Sequence, residues 1–170
     1  MSSQLQSILF GTSGLTLAAL LALWLSLTRG RFSTGHLGRV RRLVWAGVGL
    51  HALHFFEELQ AGFHVKFPVL LGLAPWTSEF FVVFNSVWMV IWLLCPSFLT
   101  VFPRTAAFPL WFLAIACVGN AIAHPLLAWL GGGYFPGLLS SPMIGVLGVL
   151  LIKALISATE GGGEIELTPA

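Results

Sequence analysis

The stretch LVWAGVGLHALHFFEELQAGF, residues 43–63, joins an apolar run to a short polar cluster. Its length matches the roughly 20 mainly apolar residues that a helix needs to span a bilayer. Within it lie two histidines, His51 and His54, and two adjacent glutamates, Glu57 and Glu58. A charged side chain deep in a bilayer costs about 2.5 kcal/mol or more. The stretch therefore predicts a membrane helix whose polar side chains need partners inside the protein.

The composition of the whole chain supports a membrane location. Of its 170 residues, 57 % are hydrophobic and only 8 % are Asp, Glu, Lys or Arg. A soluble domain carries about 25 % charged residues, so this chain has too few charges to cover a water-facing surface. Apolar runs without strand patterns favour helices in a bilayer. We expect an all-α, polytopic membrane bundle with about five transmembrane helices, at approximately 7–28, 43–63, 76–100, 105–130 and 138–158. These form one expected domain, 1–158, before a flexible acidic tail, 159–170.

The basic residues predict an orientation in the membrane. Five of the eight Lys and Arg residues fall in one loop between Arg29 and Arg42. Cytoplasmic loops carry an excess of such residues, and Arg104 falls on the same side of a five-span chain. We therefore expect an external N-terminus and a cytoplasmic C-terminus, in a plasma or inner membrane. The basic loop can contact membrane lipids but does not indicate nucleic-acid binding. The oligomeric state stays unknown at this point.

Helical periodicity places most of the polar cluster on one face. Because a helix turns about 100° per residue, His51, His54 and Glu58 fall within roughly 60° of one another. His54 and Glu58 are also an i,i+4 pair, close enough to interact directly. Glu57 points to the edge of this face. The cluster is therefore a single polar stripe, with one acid set apart from it.

A second polar pair lies in the fourth predicted span, where Asn120 and His124 are again four residues apart. At 1.5 Å per residue, His124 lies about 10 Å below the outer end of its span and Asn120 about 16 Å. Glu58 lies about 24 Å above Arg42, which is also in the outer half of the bilayer, and Asn85 in the third span lies about 14 Å deep. This agreement in depth predicts one site shared by several helices.

The residue types in this cluster suit a metal ion or a proton. Histidine nitrogens and glutamate oxygens together suit a divalent metal such as zinc, iron or manganese. The predicted metal ligands are His51, His54, Glu58 and His124. The predicted catalytic residues are His54, Glu57, Glu58, Asn120 and His124. In this hypothesis Glu57 is the general acid or base, and Asn120 orients a ligand or the substrate. Without a metal, a protonated glutamate and a neutral histidine would transfer a proton in an isomerase-type reaction.

Two motifs carry a family resemblance. HFFEE, residues 54–58, resembles the signature of the HXXEE-motif family of small integral membrane proteins. NAIAHP, which contains Asn120 and His124, looks like the second half of that signature, with Asn85 as a competing candidate for its asparagine. The resemblance covers roughly the second to fifth predicted spans. It implies an active site within the membrane, but the family has no established reaction and supplies no substrate.

Three classes of function fit these observations. The preferred one is a membrane-embedded enzyme acting on a lipid-like substrate, either a metal-dependent hydrolase type or an acid–base isomerase type. The second is a proton- or cation-coupled transporter or channel, because intramembrane Glu and His also form relays. The third is an accessory membrane protein whose polar groups join helices through hydrogen bonds of about 0.6–2 kcal/mol. We prefer the enzyme because helix association alone does not require two adjacent acids.

Overall fold

The computed structural model of the protein describes residues 3–29, 32 and 34–160. These residues form helices and connecting turns, and none of them is in a strand. In chain order the α-helices are α1 (Ser3–Gly11), α2 (Ser13–Thr28), α3 (Leu37–Ala61), α4 (Phe63–Leu70), α5 (Ser78–Leu94), α6 (Pro103–Leu130) and α7 (Ser141–Glu160). Short 3-10 helices cover Thr34–His36 and Cys95–Phe98. The predicted all-α bundle is confirmed, while most of the predicted acidic tail lies outside the described residues.

Three helices in the described part of the chain are long and apolar enough to cross a membrane: Ser78–Phe98, Pro103–Leu130 and Ser141–Thr159. The bent pair α1 and α2 makes a fourth if it counts as one span. Three or four helices therefore have the length and hydropathy of a span, fewer than the five expected. Helix α3 is not among them, because its polar cluster lowers its mean hydropathy. It nevertheless packs against α5 and α7 within the bundle.

The first predicted span is not one continuous helix. Helices α1 and α2 meet at an angle of 48°. The Ser7 hydroxyl donates to the carbonyl of Ala74 at 2.6 Å and accepts from the Trp76 indole N–H at 3.1 Å. Gly11 lies so close to the Trp76 ring that an added Cβ would collide with it. These contacts tie α1 to the segment before α5, and an apolar run alone does not reveal them.

The second predicted span ends where the sequence suggests, but a further helix follows it. Helix α3 ends at Gly62, whose φ of +77° is in the left-handed region that favours glycine. Helix α4 then occupies a stretch that we expected to be a loop. Its Phe63 and Phe67 rings stack with centres 5.0 Å apart. Helix α5 begins after Thr77, whose side chain accepts from the backbone N–H of Phe80.

Helix α6 lies at the centre of the core and packs most extensively on α7 and α2. Small residues permit the close approach of α6 and α7, as they do between many membrane helices. A Cβ on Gly148 would lie only 2.8 Å from the Ala114 carbonyl oxygen. At one end of the bundle, Arg41 Nε donates to the Pro96 carbonyl at 3.2 Å. The basic loop and the turn before α6 therefore lie at the same end.

Candidate metal centre

Three of the predicted site residues converge inside the bundle. Glu58 Oε1 lies 3.5 Å from His54 Nε2 and 3.3 Å from His124 Nε2. The two imidazole ring centres are 4.8 Å apart. All three residues are buried, with 6 % exposure or less. Helices α3 and α6 thus bring together a group that can hold a metal ion.

The spacing of these atoms fits a small divalent cation. Bonds of about 2.0–2.2 Å to N and O ligands place neighbouring ligand atoms of a tetrahedron roughly 3.4 Å apart. The two distances to Glu58 Oε1, 3.3 and 3.5 Å, are close to that value. His54 Nε2 is buried and has no hydrogen-bond partner among the described residues. Coordination of a cation would satisfy this nitrogen, so the residues present fit a metal.

A hydrogen bond on the other side of the ring fixes the tautomer of His54. The Ser140 hydroxyl donates to Glu57 Oε2 in a short hydrogen bond. Since a hydroxyl has one proton, its oxygen must accept in its second contact, which is with His54 Nδ1 at 2.8 Å. Nδ1 of His54 therefore carries a proton, and in the neutral imidazole the lone pair is on Nε2, which faces Glu58. Metal-binding histidines commonly donate their second N–H in this way.

The partners of Glu57, which was predicted as a general acid or base, are in the turn before α7. Its carboxylate accepts hydrogen bonds at 2.8, 3.1 and 2.9 Å from the Tyr134 hydroxyl and from the backbone N–H groups of Leu139 and Ser140. Residues 139 and 140 directly precede α7. The carboxylate thus lies at a helix N-terminus, where free N–H groups and the helix dipole favour negative charge. Glu57 does not line the main cavity and joins α3 to α7.

The turn at residues 131–140 closes over the two histidines. Gly137 has a φ of +87°. An added Cβ there would collide with the His124 ring and lie 2.9 Å from His54 Cε1. In the same turn, partial desolvation and the Glu57 carboxylate raise the pKa of Tyr134 to about 12, so the phenol stays protonated as a donor. The sequence identified this segment only as a turn, and nothing local in it indicated contact with α3.

His51, predicted as a metal ligand, is outside the three-residue group. Its ring centre lies 6.0 Å from that of His54, about one helical turn away. It packs edge-on against Trp92, with ring centres 4.9 Å apart. The prediction of a shared helical face is therefore correct. The carboxylate of Glu58 bends toward His54 and His124, however, and leaves His51 out of the ligand set.

A cavity of about 470 Å³ lies beside the candidate metal centre. Glu58 and His124 form part of its wall, as does the half-buried Asn120. Most of the remaining wall is aromatic or aliphatic. On the side of α2 it includes Leu17 and Leu21, which are 68 % and 45 % exposed. The cavity therefore reaches the lateral surface of the bundle.

The sequence thus predicted the residues that meet at the centre, but missed the turn that supports them. His54, Glu58 and His124 come together as expected, with Asn120 nearby in the cavity wall. The supporting residues Tyr134, Gly137 and Ser140 were not predicted. Comparison of the chain with protein-family models, curated proteins and solved structures finds no match.

Proposed function

We propose that the protein is a membrane-embedded, metal-dependent enzyme of the hydrolase type that acts on a lipid-like substrate. The observation that carries this proposal is the buried group of His54, Glu58 and His124, of which Glu58 and His124 lie in the wall of an apolar cavity. Two histidines and one carboxylate are a ligand set of catalytic zinc sites and of non-haem iron sites. Zinc, iron or manganese bound there would supply Lewis acidity and a water acidic enough to act as a nucleophile near neutral pH.

The other residues of the site have separate roles in this proposal. Asn120 lies one helical turn before His124 in the cavity wall, where its amide can hydrogen-bond the polar group of a substrate. Ser140 and Glu57 hold the His54 ring in its orientation and are positioning residues. The apolar wall excludes water from the rest of the cavity. Low polarity strengthens the electrostatic interactions at the reacting group.

The shape and lining of the cavity support a lipid-like substrate. Its volume falls within the range of roughly 300–1,000 Å³ that is common for small-molecule sites. Phe80, Phe84 and Trp88 on α5 contribute to an aromatic wall, which suits an apolar chain or ring system. The exposed leucines of α2 mark an approach from the side of the bundle. In a bilayer that side faces hydrocarbon, so an amphiphile can enter without crossing water.

Metal content tests the proposed centre directly. The purified wild-type protein should hold about one zinc, iron or manganese ion per chain by elemental analysis. His54→Ala and His124→Ala should each lose it, because each removes one of three ligands. His36→Ala is the matched control, since His36 is exposed and directly precedes α3, at the opposite end of that helix from His54 and Glu58. A folded wild-type protein without stoichiometric metal would contradict the metal-dependent reaction and favour the proton-transfer alternative.

Product analysis tests the reaction. Metal-loaded protein in nanodiscs of mixed phospholipids, glycerides and fatty acyl amides is compared with Glu58→Gln by lipid mass spectrometry. Hydrolysis predicts products whose summed mass exceeds that of the substrate by one water, and these should disappear in the variant. A product of unchanged mass would instead indicate an isomerase. Ion flux in liposomes that is lost in Glu58→Gln, without lipid turnover, would support a transporter. Lowered thermal stability as the only effect would support an accessory role.

A further inference from the structure

We infer that the cavity contains a second polar subsite, formed by His51, Asn85 and Trp92, that binds an uncharged hydroxyl or carbonyl group of the substrate. This inference rests on the proposed function, because it takes the reacting group to lie at His54, Glu58 and His124. It adds a substrate feature. The lipid-like molecule carries a second polar group within its apolar part, at a fixed distance from the first.

The three residues share a position in the cavity wall and a low exposure. His51 belongs to α3, and Asn85 and Trp92 belong to α5. All three line the cavity and are between 3 % and 9 % exposed. His51 Nδ1 and Trp92 Nε1 have no hydrogen-bond partner among the described residues. Because an unpaired buried polar group costs about 1–3 kcal/mol, two such atoms on neighbouring rings indicate a place where a ligand supplies the partner.

The donors and acceptors of this subsite define the group that it fits. The Trp92 indole N–H only donates, whereas a neutral imidazole nitrogen of His51 donates or accepts. The Asn85 amide donates to the Phe81 carbonyl at 2.9 Å and also interacts with His51, and its carbonyl oxygen has lone pairs for a further donor. A hydroxyl group can both accept from the Trp92 N–H and donate to the Asn85 oxygen. A carbonyl group can only accept from the Trp92 N–H. Neither Asn85 nor Trp92 is ionisable, so an uncharged group fits best.

Helix association alone does not account for this arrangement. Polar side chains that join membrane helices do so by hydrogen-bonding across the interface. Trp76 shows that pattern, since its indole N–H reaches Ser7 in α1. Trp92 has no such partner in the part of the chain that the structure describes. The Trp111 indole is also unpaired among the described residues, but it is not part of the cavity wall. Among the tryptophans that the structure describes, Trp92 combines a buried, unpaired indole N–H with a place in the cavity wall.

The separation of the two histidines along α3 gives the scale of the spacing between the polar groups of the substrate. The ring centres of His51 and His54 are 6.0 Å apart. An extended chain advances roughly 1.2 Å per bond, so about five bonds span that distance. An amphiphile with its carboxylate at the metal centre should therefore place a hydroxyl near carbon 6 at the second subsite. A hydroxyl much further along the chain would lie against the aromatic wall.

Binding of three fatty acids tests the subsite. Stearate, 6-hydroxystearate and 12-hydroxystearate compete with a fluorescent fatty acid for zinc-treated protein in detergent. The wild type should bind 6-hydroxystearate about 5- to 10-fold more tightly than stearate, the size expected for one or two buried hydrogen bonds. It should bind 12-hydroxystearate no more tightly than stearate. His51→Phe and Trp92→Phe should each bring the ratio between 6-hydroxystearate and stearate to about one, with the zinc content unchanged.

Further variants separate this inference from the proposed metal function. Trp88→Phe changes another Trp of the cavity wall and should keep the ratio. If the His51→Phe variant does not fold, the Asn85→Leu variant takes its place in the comparison. His124→Ala removes a metal ligand and should weaken the binding of all three fatty acids equally. In a wild type without zinc, the ratio between the affinities for 6-hydroxystearate and stearate still tests the subsite. Equal affinities in the wild type, or a ratio that persists in both His51→Phe and Trp92→Phe, would overturn the inference.

Discussion

At the scale of single residues, two small residues, Gly137 and Ser140, determine how the histidines are held. Gly137 allows the turn to lie against both imidazole rings, since an added Cβ would collide with His124. Ser140 links His54 Nδ1 to the Glu57 carboxylate, and in the neutral imidazole this places the lone pair on His54 Nε2. Neither residue offers the metal a ligand atom. Both therefore act on the candidate centre through the position and tautomer of the residues that do.

Gly137→Ala should lower both the free energy of unfolding and the affinity for zinc. Its φ of +87° costs an alanine about 1 kcal/mol, and the methyl group must also displace the His124 ring. Gly132→Ala is the matched control, because Gly132 has a φ of +71° and open space around it. Chemical unfolding in detergent and zinc titration measure the two effects. A zinc affinity lowered equally in both variants would contradict a specific contact at Gly137.

Ser140→Ala should weaken zinc binding about 10- to 100-fold, the usual effect of losing a hydrogen-bond partner of a metal ligand. The cause is that His54 Nδ1 and Glu57 both lose the hydroxyl between them. Ser157→Ala removes an exposed hydroxyl on α7 that donates to the Lys153 carbonyl of its own helix and should leave zinc binding unchanged. Zinc titration with a competing chelator measures both affinities. Unchanged affinity in Ser140→Ala would show that the tautomer of His54 does not depend on this residue.

At the scale of helices, Glu57 joins the end of α3 to the beginning of α7. Two backbone N–H groups, of Leu139 and Ser140, donate to its carboxylate just before α7 starts. This contact explains why the sequence has two adjacent acids. Glu58 faces the candidate metal centre, while Glu57 faces the turn that covers it. The i,i+4 spacing of His54 and Glu58 could be read from the sequence, but the docking of α7 on α3 could not.

Glu57→Gln should lower the free energy of unfolding by about 1–2 kcal/mol, as expected for a damaged helix cap. A glutamine has one acceptor oxygen instead of two and no charge, so it cannot accept from all the present donors. Glu79→Gln is a suitable control, because Glu79 is exposed in the first turn of α5, where Thr77 supplies the cap. Glu79→Gln should lower the free energy of unfolding by less than about 0.5 kcal/mol. Thermal and chemical unfolding in detergent measure the difference, and equal losses would contradict the proposed cap.

At the scale of the whole molecule, the two ends of the bundle differ in character. One end contains the basic loop, which Arg41 joins to the turn before α6. The other end contains the turn at residues 131–140, under which the candidate metal centre lies. The sequence placed both polar pairs at a common depth, away from the basic loop. In the structure His54, Glu58 and His124 converge, and Asn120 lies in the adjoining cavity wall. A shared functional site and the orientation of the chain in a membrane stay predictions.

Cysteine labelling tests that orientation. In a background of Cys95→Ala and Cys117→Ala, Lys66→Cys should react with a membrane-impermeant maleimide in intact cells. Arg104→Cys should react only after the membrane is permeabilised, because arginine-rich loops stay in the cytoplasm. Lys66 is an exposed residue of α4, and Arg104 is in the first turn of α6, at the opposite end of the bundle. The reverse pattern of labelling would mean that the candidate centre lies toward the cytoplasm.

The sequence by itself determined the all-α class, the helices long and apolar enough to cross a membrane, and three residues of the candidate centre. Apolar run length and helical spacing are local properties, and they sufficed to place His54 with Glu58 and to single out His124. Only the tertiary structure decided that His51 stays out of the ligand group and that Glu57 caps α7. These outcomes depend on how the turn at residues 131–140 and helix α5 pack against α3. Such long-range packing has no periodic signature, so only the folded chain shows it.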